Sequence, residues 1–427
     1  MQDVTSESPG AAPLRPDPVY VLGGAQTDFA RNVTKEGRTL FDLGREAILG
    51  AIADAAIEAR EIQVGHVGNF VGELLSDQGH LGALVPEADP ALDGLPTARH
   101  EAACASGSVA ALAAMADLQA GRYDVACVLG IELMRGRGGF EAQQKLGVAA
   151  RVPDETAGVA FPWPSLLSAV ADEYERRYGE PEQLKAALRA LAANNFACAK
   201  RNPRAQARGW TLGERSFLDD DEANPVVAGR LRRHDCCPVT DGAACVILAS
   251  PRFAASWAAR HGKDLGAVAR ITGFGHRTSR LGLRDKLDRS AGSPYLFPHV
   301  RAALVEALGR AGLRDAWDLS AIECHDCFTV MEYMILDHLG LGPPGRPYAA
   351  VLDGSVLAGG RLPVNSSGGL LGGGHPVGAT GVRMLLDASR QVEGRAGGCQ
   401  VPGARRVATV NIGGSATTVV SFVVERA

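Results

Sequence analysis

A cysteine just before an apolar helical segment is the first group in this 427-residue chain that could do chemistry. Cys104 stands in the run EAACASG, residues 101–107, and residues 109–120 are rich in Ala, Leu and Met. Backbone N–H groups at a helix N-terminus favour negative charge, so we expect the pKa of the Cys104 thiol to fall. Covalent catalysis uses the thiolate, whereas the alternative is a small core residue before a helix.

A histidine inside a glycine-rich segment is the second candidate. Residues 372–381 read GGGHPVGATG, with His375 followed by Pro376. Glycines let the backbone pass close to a ligand, and proline suits the first turn of a helix. We therefore expect His375 at the mouth of a helix, where its imidazole could act as a base; the alternative is a helix-capping histidine.

A third segment, ECHDCF at residues 323–328, follows a strand and offers a second histidine, His325. Cys324 and Cys327 have C-x-x-C spacing, but without a partner motif a metal or redox site is disfavoured. We expect Asp326 to cap the helix that follows. Sites in α/β proteins usually form at such strand ends.

The last segment, NIGGS at residues 411–415, ends a later strand. Its backbone N–H groups could donate hydrogen bonds to an oxyanion. A plain glycine hairpin turn explains the same residues equally well.

The elements that position these groups are predicted from apolar periodicity, which indicates an α/β protein. Ser106 and Ser108 are predicted to cap the helix after Cys104, and Gly121 to end it. The second half, from about residue 267, repeats the order of the first and suggests an internal duplication. Predicted first-half elements are strands 19–24, 67–71, 124–130 and 243–249 and helix 41–59; those of the second half are strands 269–274, 321–324, 407–412 and 417–424 and helix 300–311.

Composition divides the chain further. Residues 1–17 read as a disordered leader, 18–266 as the first half and 267–427 as the second. A rise in Arg, Gln, Asn, Trp and Pro at about 131–231 predicts an inserted loop domain.

The overall composition is that of a soluble globular protein, with 22% charged and 46% hydrophobic residues. A net charge of −4 and 5% aromatic residues argue against a nucleic-acid partner. The 9 cysteines suggest no disulfide framework, so we expect a cytoplasmic protein. We expect no membrane span, because apolar runs stay short.

The ordered motifs Cys-x-Ser at Cys104, His-Asp-Cys-Phe at His325, Gly-His-Pro at His375 and Gly-Gly at Gly413 resemble those of the thiolases. The likeness spans about residues 19–424 and is strongest to the sterol-carrier-protein type. It implies the thiolase fold, in which two pseudo-symmetric βαβαβαββ halves form a five-layered αβαβα sandwich. It also implies a homodimer or homotetramer, with acyl-CoA and CoA as substrates and no metal or permanently bound cofactor.

The resemblance implies a role for each motif. Cys104 would carry the acyl group, and His375 would activate it. His325 stands where many thiolases have an asparagine. Many thiolases carry a second catalytic cysteine where this chain has Asn411, so the acid/base role is expected at Cys327, as in the sterol-carrier type.

Two oxyanion holes are also implied by the resemblance. His325 and His375 would form one hole, and the N–H groups of Cys104 and Gly413 would form the other. Further substrate contacts are expected from Gly374, Ser366 and Gly414.

The expected reaction is CoA-dependent cleavage of a 3-ketoacyl-CoA to acetyl-CoA or propionyl-CoA and a shortened acyl-CoA, as in fatty acid β-oxidation. The reverse Claisen condensation, as in an acetyl-CoA acetyltransferase, uses the same groups. Alternatives are a ketoacyl-synthase-like condensing enzyme, a thiolase-fold aldol lyase, and a non-catalytic acyl-CoA or lipid-binding protein. The intact Cys104 argues against the lyase, because such lyases typically lack this cysteine.

Overall fold

A nine-stranded mixed sheet runs through the chain in a computed structural model that describes residues 16–427. The predicted leader, residues 1–17, falls almost entirely outside that range. Within that range the strands are β1 Val19–Gln26, β2 Val64–Gly68, β3 Thr97–His100, β4 Val125–Glu132, β5 Val226–Ala228, β6 Leu231–Arg232, β7 Gly242–Ala249, β8 Arg270–Thr278, β9 Ala321–Cys324, β10 Arg406–Gly413 and β11 Thr418–Glu425. All of them except β5 and β6 belong to this sheet.

Helices cover both faces of this sheet. They are α1 Leu40–Ala55, α2 Gly72–Leu75, α3 Ser106–Gln119, α4 Gly139–Leu146, α5 Pro162–Tyr178, α6 Pro181–Ala199, α7 Pro251–Arg260, α8 Leu283–Arg289, α9 Pro298–Arg310, α10 Thr329–Leu339, α11 Tyr348–Leu352 and α12 Thr380–Val392. No helix within residues 16–427 combines the length and the apolar character needed to cross a membrane.

The sheet is built from two halves with the same internal order. Its strands run β3-β2-β4-β7-β1 and then β8-β11-β10-β9. Each half contains one parallel pair, β2 with β4 in the first and β10 with β9 in the second. The next strand is antiparallel in both halves: β7 pairs with β4, and β11 pairs with β10. The halves join through a short antiparallel pairing of β1 with β8. This repeat confirms the predicted two-half architecture.

Helices α3 and α12 form the central layer. Apolar residues of both helices, such as Ala114 and Leu385, pack in one cluster with strand residues from both halves, such as Val128 and Val407. Helices α1 and α7 cover the outer face of the first half, and α9 and α10 that of the second. Five layers result, as the resemblance implies. Cys104 and His375 therefore lie on the segments that lead into the two central helices.

Several predicted boundaries are wrong because distant or turn contacts override the local pattern. Helix α1 ends at Ala55 rather than residue 59, since Ala56 has a left-handed φ of 51°. Strand β2 ends at Gly68 rather than residue 71, since the Asn69 side chain turns the chain by bonding Gly72 N and Ile131 O. Helix α12 begins at Thr380, so Pro376 is not in its first turn.

The chain between β4 and β7 forms α4, α5, α6 and the separate β5–β6 hairpin. Helices α5 and α6 pack on α10 and α11 of the second half. The division into a leader, two halves and a loop domain at about 131–231 stays a prediction.

Candidate active site

Cys104 follows a tight turn that leads into α3. Ala103 has a left-handed φ of 51°, which a residue with a side chain adopts rarely. The Ser106 hydroxyl accepts from Ala102 N at 2.9 Å and donates to Ala103 O at 2.6 Å. Ala105 is the N-cap, and no side chain caps the helix, so the predicted capping role is wrong. Ser106 instead fixes the turn that presents the cysteine.

Three predicted catalytic side chains meet in space. The Cys104 sulfur and ring nitrogens of His325 and His375 all lie within 4.8 Å of one another. The two rings are perpendicular, at 86°, with centroids 5.1 Å apart. Together with Cys327 these residues line a cavity of about 170 Å³.

The ring of His375 is oriented by Thr380. The Thr380 hydroxyl donates to Pro376 O at 3.1 Å, and it lies 2.7 Å from His375 Nδ1. Because that hydroxyl proton is already used, His375 Nδ1–H donates to it, and Nε2 keeps a free lone pair. Nε2 is buried with no partner among the described residues. Burial, with further contributions from His325 and Arg383, lowers the pKa of His375, which leaves a neutral base beside Cys104.

The ring of His325 is oriented by Asn411. The Asn411 Nδ2 lies 3.1 Å from His325 Nδ1, and its Oδ1 accepts from the Ser108 hydroxyl at 2.8 Å. An amide nitrogen only donates, so Nδ1 accepts and the His325 proton sits on Nε2. Burial lowers the pKa of His325 to about 3, which keeps the ring neutral. The histidines therefore have complementary roles, with His325 a donor and His375 an acceptor.

The Cys104 thiol does not have the lowered pKa expected from its helix. Burial and the negative charge of Glu132 raise the pKa to about 12, although N–H groups of Gly414 and Cys104 itself donate to the sulfur and partly offset this. Desolvation outweighs the helix terminus because the sulfur is shielded from water. Cys104 is therefore a thiol in the free site, and His375 is a neighbouring base that could accept its proton.

The Gly413–Gly414 turn brings backbone donors to the sulfur. A Cβ at Gly413 would lie 2.1 Å from Ala102 O, and Gly414 has a left-handed φ of 64°, so both positions favour glycine. The N–H of Gly414 donates to the Cys104 sulfur. The expected role of the Gly413 N–H, a bond to the substrate oxyanion, stays a prediction.

This turn is supported by two side chains, the buried Lys286 and the half-buried His299. Lys286 Nζ on α8 donates to Ser415 Oγ and to Thr417 Oγ1, each at 2.9 Å. His299 Nε2 donates to Ala416 O at 2.6 Å. Burial lowers the pKa of Lys286 to about 7. Local sequence patterns offered no signal for either residue.

Three thiols besides Cys104 line the same cavity: Cys327, Cys236 and Cys237. Cys237 N donates to Cys327 O at 2.9 Å, which ties the two segments together. Burial raises the pKa of all three thiols well above the usual value. Cys236 and Cys237 were missed from sequence, although two adjacent cysteines before a buried strand are a usable signal.

The predicted substrate contacts separate in space. Gly414 lines the catalytic cavity, whereas Ser366 lines a different pocket that contains Arg201 and Arg361. Gly374 is outside the cavity wall, and a Cβ there would meet Thr240 at 3.0 Å.

Asp326 does not cap α10, so that expectation is wrong. Its carboxylate accepts from Leu370 N at 2.6 Å, Leu371 N at 3.1 Å and Asn195 Nδ2 at 2.9 Å. It thus stabilises the glycine-rich loop that leads to His375.

Comparisons with known proteins give matches that span most of the chain. The pattern described as "Thiolase, N-terminal domain" matches residues 19–252, and "Thiolase C-terminal domain-like" matches residues 286–426. The acetyl-CoA acetyltransferase of Methanothermobacter thermautotrophicus is 32% identical over 413 residues, covering 96% of this chain and 99% of that protein. Sterol carrier protein 2 of Oryctolagus cuniculus is 28% identical over 432 residues, covering 97% of this chain and 73% of that protein.

A solved structure titled Ltp2-ChsH2(DUF35) aldolase superposes with a TM-score of 0.76 at 19% identity, covering 97% of this chain and 99% of that chain. At that identity the likeness concerns the fold alone. The family patterns and the archaeal relative carry the assignment, and they confirm the resemblance seen in the motifs. The chain belongs to the thiolase family of acyltransferases.

Proposed function

We propose that this protein cleaves a 3-ketoacyl-CoA with CoA to give acetyl-CoA or propionyl-CoA and a shortened acyl-CoA, or runs the reverse Claisen condensation. The intermediate is a thioester on Cys104. One observation carries the proposal: the Cys104 sulfur and one ring nitrogen each of His325 and His375 lie within 4.8 Å of one another.

In the first half-reaction, Cys104 gives its proton to His375 Nε2, and the sulfur attacks the 3-keto carbon. N–H groups of Cys104 and the Gly413–Gly414 turn stabilise the oxygen that becomes negative. The bond between C2 and C3 then breaks. The enolate oxygen of the leaving acetyl-CoA accepts a hydrogen bond from His325 Nε2–H, and the Cys327 thiol protonates C2.

In the second half-reaction, the CoA thiol gives its proton to the Cys327 thiolate and attacks the thioester carbon. Cys104 leaves as a thiolate and recovers its proton from His375. CoA is therefore a substrate, and both cysteines return to their starting state.

Intact-protein mass spectrometry after mixing with a 3-ketoacyl-CoA tests this proposal. We expect one acyl adduct, located on the Cys104 peptide and removed by added CoA. The variant Cys104→Ala should form none. A wild-type protein that forms no thioester would favour the non-catalytic carrier and overturn the proposal.

The role of Cys327 needs its own test, because Cys237 lines the same cavity. We expect Cys327→Ala to abolish exchange of the C2 protons of acetyl-CoA with D₂O, and Cys237→Ala to leave it within about threefold. Unchanged exchange in Cys327→Ala would remove the role and favour a ketoacyl-synthase-like site.

The proposed setting is chain shortening as in fatty acid β-oxidation, carried out by a homo-oligomer in the cytoplasm. All nine cysteines are free thiols, which supports a reducing compartment.

A further inference from the structure

Among residues 16–427, no formally charged side chain lines the catalytic cavity. Its wall beyond the catalytic groups is mostly aromatic and aliphatic, and Gln143 is the one amide side chain there. The main apolar contributors are Phe70, Leu146, Phe161, Trp163, Phe328 and Val377.

Trp163 has the largest side chain of these contributors, and its indole N–H is already hydrogen-bonded. Trp163 Nε1 donates to Leu146 O at 3.0 Å, so the indole has no hydrogen bond left to offer a substrate. A substrate therefore contacts only apolar surface at Trp163. That surface stabilises apolar groups and donates no hydrogen bond to a carboxylate.

The charged groups behind the wall do not compensate for this. Arg99 is outside the lining and already pairs with Glu73. The buried cation near the histidines, Arg383, is outside the lining and already bonds Glu323 at 3.1 Å and Asp387 at 2.8 Å. A carboxylate inside the cavity would therefore be desolvated without a cationic partner.

We infer that the acyl group this site accepts is uncharged and apolar beyond its keto carbon, and that acyl chains ending in a carboxylate are rejected. The inference rests on the proposed thiolase function and adds the chemical class of its substrate.

A matched pair of thioesters tests it. 3-Ketohexanoyl-CoA and 3-ketoadipyl-CoA have the same six-carbon chain and differ in the terminal carboxylate. We expect kcat/KM in thiolysis to be roughly 100-fold or more lower for the ketoadipyl thioester, since desolvating an unpaired charge is costly. Values within tenfold of each other would overturn the inference.

A variant that adds a cation gives the converse test. Gln143→Lys places an ammonium group in the lining, and should narrow the ratio between the two thioesters at least tenfold. Glu141→Gln is the matched control, because it changes the net charge by the same +1 and Glu141 is exposed on the same helix and outside the lining. An equal effect of both variants would show that general surface charge, not the cavity, sets the preference.

Binding separates this inference from the proposed reaction. Calorimetric titration of Cys104→Ala with each thioester should show at least tenfold weaker binding of 3-ketoadipyl-CoA. If wild-type protein forms no acyl-cysteine, the reaction fails while this ratio still decides the inference. Equal affinities would refute the charge preference whatever the activity.

Discussion

Asn411 determines which nitrogen of His325 carries the proton, because its amide nitrogen donates to Nδ1. A carboxylate of the same shape reverses that bond. In Asn411→Asp we expect Nδ1 to become the donor, Nε2 to lose its proton, and kcat to fall about 100-fold, as when an oxyanion-hole donor is removed. KM should change less than threefold, as measured by steady-state thiolysis.

A pH profile makes this test specific. The new carboxylate favours the charged imidazole and raises the pKa of His325, so lowering the pH restores an Nε2 proton. Activity of Asn411→Asp, relative to wild type, should therefore recover as pH falls. Ser108→Ala, which removes only the bond to Asn411 Oδ1, should retain kcat within about tenfold. A variant Asn411→Asp with near-normal kcat would disprove the orienting role.

The Cys104 pKa predicts how the free enzyme reacts with an alkylating agent. A pKa raised to about 12 by burial and Glu132 means that the thiolate fraction grows tenfold per pH unit across the neutral and moderately alkaline range. Iodoacetamide labelling of Cys104, followed by peptide mass spectrometry, should therefore accelerate from pH 7 to pH 10 without levelling off. A plateau below pH 9 would instead support a thiolate stabilised by the helix terminus.

At the scale of elements, α8 supports the β10–β11 turn through Lys286. Replacing Lys286 with Met removes both of the bonds that its Nζ donates to the turn, to Ser415 Oγ and Thr417 Oγ1, while keeping a similar side-chain length. The Gly414 N–H then loses its fixed position, so we expect kcat to fall about tenfold, with a smaller change in KM.

Two control variants on α8 distinguish loss of support for the β10–β11 turn from general destabilisation of the helix. Lys286→Arg keeps donors and should recover part of the lost kcat. Arg284→Met alters an exposed residue of α8 that pairs with Asp288, and should leave kcat unchanged. Hydrogen exchange of the peptide covering residues 413–417 should be faster in Lys286→Met. Unchanged hydrogen exchange and unchanged kcat in Lys286→Met would show that the turn keeps its structure without the bonds from Lys286.

At the scale of the whole molecule, the two ends of the nine-stranded sheet differ. The β9 end is covered, because Ile322 N donates to Pro363 O at 3.0 Å and Asn365 N donates to Ile322 O at 2.8 Å. At the other end, β3 pairs within residues 16–427 with one strand, β2, on one side. An open strand edge is a pairing surface for another chain.

We therefore predict that the protein self-associates through the β3 edge. Light scattering coupled to size-exclusion chromatography should give a mass of at least twice the 44.6 kDa of one chain. A mass of one chain at all concentrations would contradict this. Protection of residues 97–100 from hydrogen exchange should increase with concentration.

Much of the architecture follows from the sequence, because buried strands and helices have apolar patterns that are local. The strand at 321–324 matches β9, and Gly121 ends α3 with a left-handed φ of 70°. Boundaries fail at Asn69 and Pro376, where side-chain and turn contacts decide the backbone path. The bond from Asn69 to Ile131 O joins residues 62 positions apart, so no short window of sequence contains it.

The sequence by itself indicated which side chains could do chemistry: Cys104, His325 and His375 are recognisable as candidates from the small and polar residues around them. Their protonation states were decided only by the tertiary structure. Glu132 and burial raise the pKa of Cys104, and a bond between residues 303 positions apart, Ser108 to Asn411, orients His325. A sequence motif shows which residue types are present. Where their protons lie depends on desolvation and on hydrogen-bonding partners that come together only in the folded chain.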